Sequence, residues 1–97
     1  MEIRFEWDFW KNLKNKKKHN IIFEEAATVF YDDFALLYSD PEHSEDEDRF
    51  LLLGYSSTNK ICIVCHCYIE DNIIRIISAR KATKEEQKEY NKYNGGK

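Results

Sequence analysis

The chain is 97 residues long, 42% hydrophobic and 14% aromatic, with a formal net charge of −3. This length fits one domain over residues 1–97 with a modest core, and the apolar share excludes a disordered chain. The charge argues against a generic nucleic-acid binder, but it is polarised: residues 9–20 carry five lysines and no acid, 32–48 eight acids and no lysine or arginine, and 75–97 seven bases against three acids; a phosphate responds to local field more than to net charge.

Ile3, Phe5 and Trp7 alternate with Glu2, Arg4 and Glu6, the pattern of a half-buried strand. Asp8 is placed to cap a helix. At 100° per residue Lys11, Lys14, Asn15 and Lys18 share one face of that helix, with Phe9 and Leu13 on the other. The expectation is a helix docked by its aromatic side, showing a cationic stripe that His19 closes. After a turn at Asn20, the residues Ile22, Phe23, Ala26, Ala27 and Phe30 recur at helical spacing. Residues 34–38 read as a second strand. Residues 40–48 hold the only proline and six acids, and read as a solvated loop.

Residues 49–55 read as a third strand, with Gly54 marking a bulge or bend. Residues 61–69 read as a fourth strand, and Glu70-Asp71-Asn72 turns into a fifth. The last three strands form an antiparallel meander. The hairpin register stays open: a three-residue loop puts His66 on the face of Arg80, a two-residue loop on that of Arg75. Residues 73–77 are a β-branched run, predicted to be buried on both faces. Arg75 inside the run and Arg80 beyond it have no packing role there, so they either serve a polyanion or pair with carboxylates such as Asp32 or Glu86. Thr83 with Glu86 three residues on is a capping box for a helix over 84–93, which Tyr90 and Tyr93 dock and Gly95 ends.

Cys62, Cys65 and Cys67 are too few and too close for a disulfide framework. Cys62 to His66 matches a haem-attachment pattern, but it lies inside an apolar strand. Strand alternation puts Cys65 and Cys67 on one face and Cys62 and His66 on the other, which excludes a four-ligand zinc site. No metal or cofactor is expected, since the crowded acids of a flexible loop make a poor fixed site. No apolar run is long enough to cross a membrane and no signal peptide is evident, so a cytoplasmic protein is expected.

Trp7-Asp8, Lys11, Asn15, Lys18-His19 and 23–26 (Phe-Glu-Glu-Ala), then Pro41, His43, Glu47, Arg49-Phe50 and Gly54, then 75–82 (Arg-Ile-Ile-Ser-Ala-Arg-Lys-Ala), Glu86 and Tyr90, together resemble the BrnT toxins over nearly the whole chain. The resemblance implies an α+β fold like that of the RelE toxins. The elements read along the chain add up to a small antiparallel meander sheet of about five strands, two N-terminal helices packed on it and a C-terminal helix. The resemblance also implies the ribonuclease half of a type II toxin–antitoxin pair, silenced by a BrnA-type ribbon-helix-helix antitoxin. Contact with DNA is then indirect, through that antitoxin, and the complex represses its own operon. Four departures stand out. Asn20 replaces a usual Gly, and Asn tolerates the left-handed conformation. Ile22 replaces a capping Ser, at a cost of about 1 kcal/mol. Ile69 and Gln87 replace basic residues, which points to a weaker nuclease.

RNA can be cleaved without metal through its own 2′-hydroxyl, if the protein takes that proton, steadies the phosphorane charge and protonates the leaving oxygen. His19 is the acid or base candidate, because histidine titrates near neutral pH. Arg80 is the first candidate for charge stabilisation, with Arg49 and Arg75 after it. Arg49 can equally pair with an acid of the adjacent loop. Tyr90 is a candidate for stacking or phosphate contact, against a role in docking the last helix. Lys11, Lys14 and Lys18 position RNA. His43 and His66 read as structural. A binding subunit with little catalysis, acting as co-repressor with the antitoxin, is the alternative.

Overall fold

The structure is a computed structural model describing residues 2–94; the stop expected at Gly95 lies outside them. In chain order it has β1 (Arg4–Glu6), α1 (Phe9–His19), α2 (Phe23–Thr28), β2 (Leu36–Ser39), β3 (Phe50–Tyr55), β4 (Ile61–Glu70), β5 (Ile73–Lys81) and α3 (Lys84–Tyr93). One five-stranded sheet runs β1-β5-β4-β3-β2. β2 to β5 pair antiparallel as expected, but β1 lies parallel to β5, so the sheet is mixed, not a pure meander. The physical reason is sequence order: helices follow β1, so it has no hairpin partner and joins the open edge of β5.

One face of the sheet is closed by the first two helices. Ile21, Phe23, Ala26 and Val29 pack there on Leu52, Cys62, Val64, Ile76 and Ala79, with Phe5, Trp7 and Phe30 around them. Among the described residues the other face is covered only where α3 lies, its Tyr90 packing with Leu53, Ile63 and Ala82. β5 is therefore not buried on both faces as its composition suggested: Ile74 and Ile76 are inside while Arg75 and Ser78 are exposed.

The β4–β5 turn has two residues, Asp71-Asn72, and two irregularities follow it. Ile69 is left unpaired in β4. On β5, Ile77 is skipped between the pairs Cys65–Ser78 and His66–Ile76. A bulged residue resets strand alternation. Arg75 and Arg80, five apart and opposite in a regular strand, thus share the open face (partners Cys67 and Ile63), and His66 faces the helices, away from both. Gly54 is not a bulge. It pairs regularly with Cys62, and a Cβ there would sit 2.9 Å from both Ala35 Cβ and Asp32 Oδ2.

The first helix is turned the other way from the expected docking. Asn15 is buried, while Phe9, Trp10 and Leu13 are exposed. β1 pairs with β5 only as far as Arg75, so the edge beyond it has bare backbone groups. Asn15 satisfies them: its Nδ2 donates to Ala79 O (2.8 Å) and Ile21 O (2.8 Å), and Ala79 N donates to its Oδ1 (3.0 Å). A strand edge needs amide partners, so the docked side of α1 is amide, not aromatic. Asn12 likewise receives Phe23 N–H (2.8 Å), filling the capping role that Ile22 lacks. Asn20 ends α1 in the left-handed conformation, φ 57°, as its residue type allows.

Candidate active-site cleft

The uncovered part of the open sheet face, between the end of α1 and the 40–49 loop, holds a cleft of about 420 Å³. Its floor is Leu51, Ile63, Cys65, Ile77 and Ser78, and its polar rim is His19, Asp40, Glu42, His43, Arg49 and Arg80. Each rim group has a local cause. His19 is the last residue of α1, directly before the left-handed turn at Asn20. Asn15 ties that helix to Ala79, the neighbour of Arg80 in β5. Pro41 opens a single 3-10 turn, Pro41–His43, which brings His43 back onto Asp40; their Nδ1–Oδ2 distance is 3.0 Å.

Arg80 is held end-on by Glu86, with Nη1–Oε1 at 2.8 Å and Nη2–Oε2 at 2.9 Å; its Nη1 also donates to Lys81 O (3.2 Å). Glu86 at the same time accepts Thr83 N–H and closes the capping box of α3. These bonds hold the Glu86 carboxyl at about 2. They use three of the five guanidinium donors. The Nε–H and the second Nη2–H, which form the side-on fork, engage nothing among the described residues. A second bidentate anion fits that fork. Arg49 is half-buried and more loosely engaged, its Nε 3.8 Å from Glu47 Oε1. His19 has no side-chain partner among the described residues.

Three of the expected site residues, His19, Arg49 and Arg80, meet in the cleft. The others do not. Arg75 is on the same sheet face but bridges to Glu6 (2.8 Å), outside the cleft lining. Tyr90 is buried in the second core cluster and donates to Asp32 Oδ2 (2.8 Å); burial and that carboxylate push its hydroxyl well above the usual tyrosine range. It anchors α3, because an apolar ring with a buried acceptor at its tip gains more inside than at a rim. Lys11, Lys14 and Lys18 are exposed and line no part of the cleft, a consequence of the inverted docking of α1. Ile69 lies in the bulge by the β4–β5 turn, and Gln87 donates to Ala82 O; neither reaches the cleft.

The reading of the sequence missed Asp40 and His43 as a pair. Their signal was the Asp-Pro-x-His spacing, since residues three apart meet in a tight turn. Beside the cleft and sharing Leu51 and Ile63 is an apolar groove of about 390 Å³, walled by Tyr38, Glu85, Glu86 and Glu89. The three thiols are buried, and Cys62 is pushed up to about 11, first by burial and then by Glu25.

The chain is thus a small α+β domain with a mixed five-stranded sheet and one open cleft that brings together two histidines and two arginines. Its family is the ribonuclease toxin, BrnT, of type II toxin-antitoxin systems, whose model matches residues 7–86, and the chain belongs to it. The fold is similar to that of the Brucella abortus ribonuclease toxin BrnT, known from a 1.1 Å crystal structure: the TM-score is 0.64 at 22% identity, over 87% of this chain and 99% of that one. No curated protein sequence matches the chain. As a type II toxin, it has RNA as substrate and an antitoxin as partner. Among the described residues no helix is long and apolar enough to cross a membrane.

Proposed function

We propose that this chain, as one domain in the cytoplasm, cleaves RNA internally without a metal ion, in the cleft that His19, Arg49 and Arg80 share. The observation carrying this reading is the end-on grip of Glu86 on Arg80, which fixes the guanidinium in a cleft it shares with two histidines and leaves its side-on edge clear of protein partners among the described residues. The RNA 2′-oxygen attacks the adjacent phosphorus while the bond to the 5′-oxygen breaks. One histidine takes the 2′-hydroxyl proton and the other gives a proton to the departing 5′-oxygen. His43 donates Nδ1–H to Asp40, so Nε2 faces the reaction as base, and His19 serves as acid. Arg80 and Arg49 meet the charge that grows on the equatorial oxygens. Arg75 adds to the field of that face at a distance, and Tyr90 holds α3, and through it Glu86, in place.

We further infer that the partner is a BrnA-type ribbon-helix-helix antitoxin, that the complex represses its own operon, and that the fold relates to the RelE toxins. One observation favours the second reading, a catalytically weak co-repressor subunit: Arg80 and Arg75 are each neutralised by a glutamate. Purified protein incubated with RNA in EDTA separates the two. The expected result is cleavage that leaves 2′,3′-cyclic phosphate and 5′-hydroxyl ends and is lost in Arg80→Ala with antitoxin binding kept. Cleavage restored only by magnesium, or no cleavage with tight antitoxin binding, refutes the proposal.

A further inference from the structure

The outward side of α1 carries a feature that the cleft does not use. Trp10, Leu13, Lys14 and Lys17 follow one another at helical spacing along a single line, opposite the docked Asn12 and Asn15. Trp10 is 68% exposed and Leu13 46% exposed, and with Lys14, Lys16, Lys17 and Asn20 they enclose a shallow depression of their own. Phe9, 63% exposed, stands edge to face against Trp10 (5.2 Å, 82°) and covers at most one of its two faces. All five lysines of the helix are exposed, the helix contains no acid, and no ion pair or side-chain hydrogen bond engages those lysines among the described residues. In a chain of net charge −3 this is a concentrated cationic surface.

We propose that this stripe is a second RNA-binding site, taking single-stranded RNA by stacking a base on Trp10 while Lys14 and Lys17 contact flanking phosphates. The proposal rests on RNA being the substrate and adds where the strand is held outside the cleft. Indole faces accept any unpaired base, and ammonium groups around them accept the backbone, which is the build of sequence-tolerant single-strand sites. A duplex has no free base face to offer. A protein partner fits less well, because the cores of protein interfaces are depleted in lysine, and here lysines interrupt the apolar line itself. Trp10 and His19 are nine residues apart on one helix, about 13 Å along its axis. They lie on opposite sides of that helix, so a single strand leaving the cleft past His19 reaches the stripe by passing around the C-terminal end of α1.

The test titrates a labelled oligouridylate into the full chain, following anisotropy, for wild type, Trp10→Ala, Trp10→Phe and Lys14→Gln/Lys17→Gln. All these positions are exposed, and thermal melts confirm that each variant folds. Trp10→Ala is expected to bind about tenfold more weakly, with Trp10→Phe recovering most of the loss. The double lysine variant is expected to flatten the salt dependence by about 0.7 per lysine removed. Unchanged affinity in Trp10→Ala overturns the proposal. So does a variant that keeps oligonucleotide affinity but loses the antitoxin, which assigns the stripe to the protein partner. RNA cleavage by the same samples keeps the two readings apart. A wild type that binds through Trp10 yet never cleaves sinks the catalytic proposal alone, and one that cleaves while Trp10→Ala binds normally sinks the stripe alone.

Discussion

Replacing Glu86 by Gln tests the central geometry of the cleft, because one side chain there does two jobs. It holds Arg80 end-on through two bonds and it caps α3. Gln keeps an oxygen for Thr83 N–H but loses the charge and one of the two acceptors. The Glu86 carboxyl sits at about 2, against 4.5 for an unperturbed group, because of Arg80 first and the Thr83 bonds after it. In full this difference corresponds to about 3 kcal/mol. Both partners are reached by solvent, with 29% of Glu86 and 41% of Arg80 side-chain surface exposed, so about 1–2 kcal/mol is the expected share. For a chain of this size each kcal/mol moves Tm by roughly 4–8 °C. The sign follows from linkage. A carboxyl with a lowered folded pKa stabilises above its unfolded pKa and loses that contribution as pH falls through the folded value. The gap in Tm between wild type and Glu86→Gln is therefore widest near neutral pH and closes as pH drops from about 4.5 toward 2. Melts of wild type and Glu86→Gln across that range check it. Cleavage is expected to fall by about tenfold or more, since a guanidinium released from one edge no longer presents the other in a fixed direction. A gap that persists unchanged at low pH, or full activity in Glu86→Gln, refutes the positioning role.

Three further outcomes follow from the packing. Asn15→Leu leaves Ala79 N–H, Ala79 C=O and Ile21 C=O without their partner; a loss of about 3 kcal/mol or more is expected in urea unfolding, and a loss under about 1 kcal/mol sinks the edge-capping account. Gly54→Ala pushes a methyl against Ala35 and Asp32 and should cost about 1–3 kcal/mol, read as a lower urea midpoint with unchanged slope. Cys62, on the helix-covered face and pushed up to about 11, should resist a thiol reagent at neutral pH until denaturant is added, whereas Cys65, in the floor of the open cleft, is the thiol that a small reagent reaches first; rapid labelling of Cys62 in the native protein contradicts the packing of β4.

Much of this architecture was legible in the residues. The two caps at Asp8 and Thr83 start their helices where the spacing said, and α3 spans 84–93. Alternation in β4 separates Cys62 and His66 from Cys65 and Cys67. The parallel pairing of β1 was not legible, because nothing local in a strand records which distant edge it joins. The β5 bulge was equally hidden: Ile76 and Ile77 look alike in sequence, and only the pairing with β4 decides which one is skipped. That one skip is what puts Arg75 and Arg80 on a common face. The carboxylate partner of Arg80 was among those foreseen, whereas Arg75 took Glu6 from β1, a choice that depends on the unforeseen parallel edge.

The inverted docking of α1 links these failures to function. The docked side was misread by hydrophobicity because the surface it meets is the unpaired edge of β5, whose demand is for amides. With Asn12 and Asn15 committed inward, three consequences are forced together. The aromatic residues have no core left to enter, so Trp10 and Phe9 stand in solvent. The lysines spread over the outer arc instead of the cleft rim. His19, at the end of the helix and on the same side as the asparagines, is the group that α1 delivers to the cleft. Under the two proposals, catalytic and holding functions divide along one helix, chemistry at its C-terminal residue and strand capture on its outer line. A substitution that frees Asn15 from Ala79 should accordingly disturb both at once, whereas Trp10→Ala should disturb only the second.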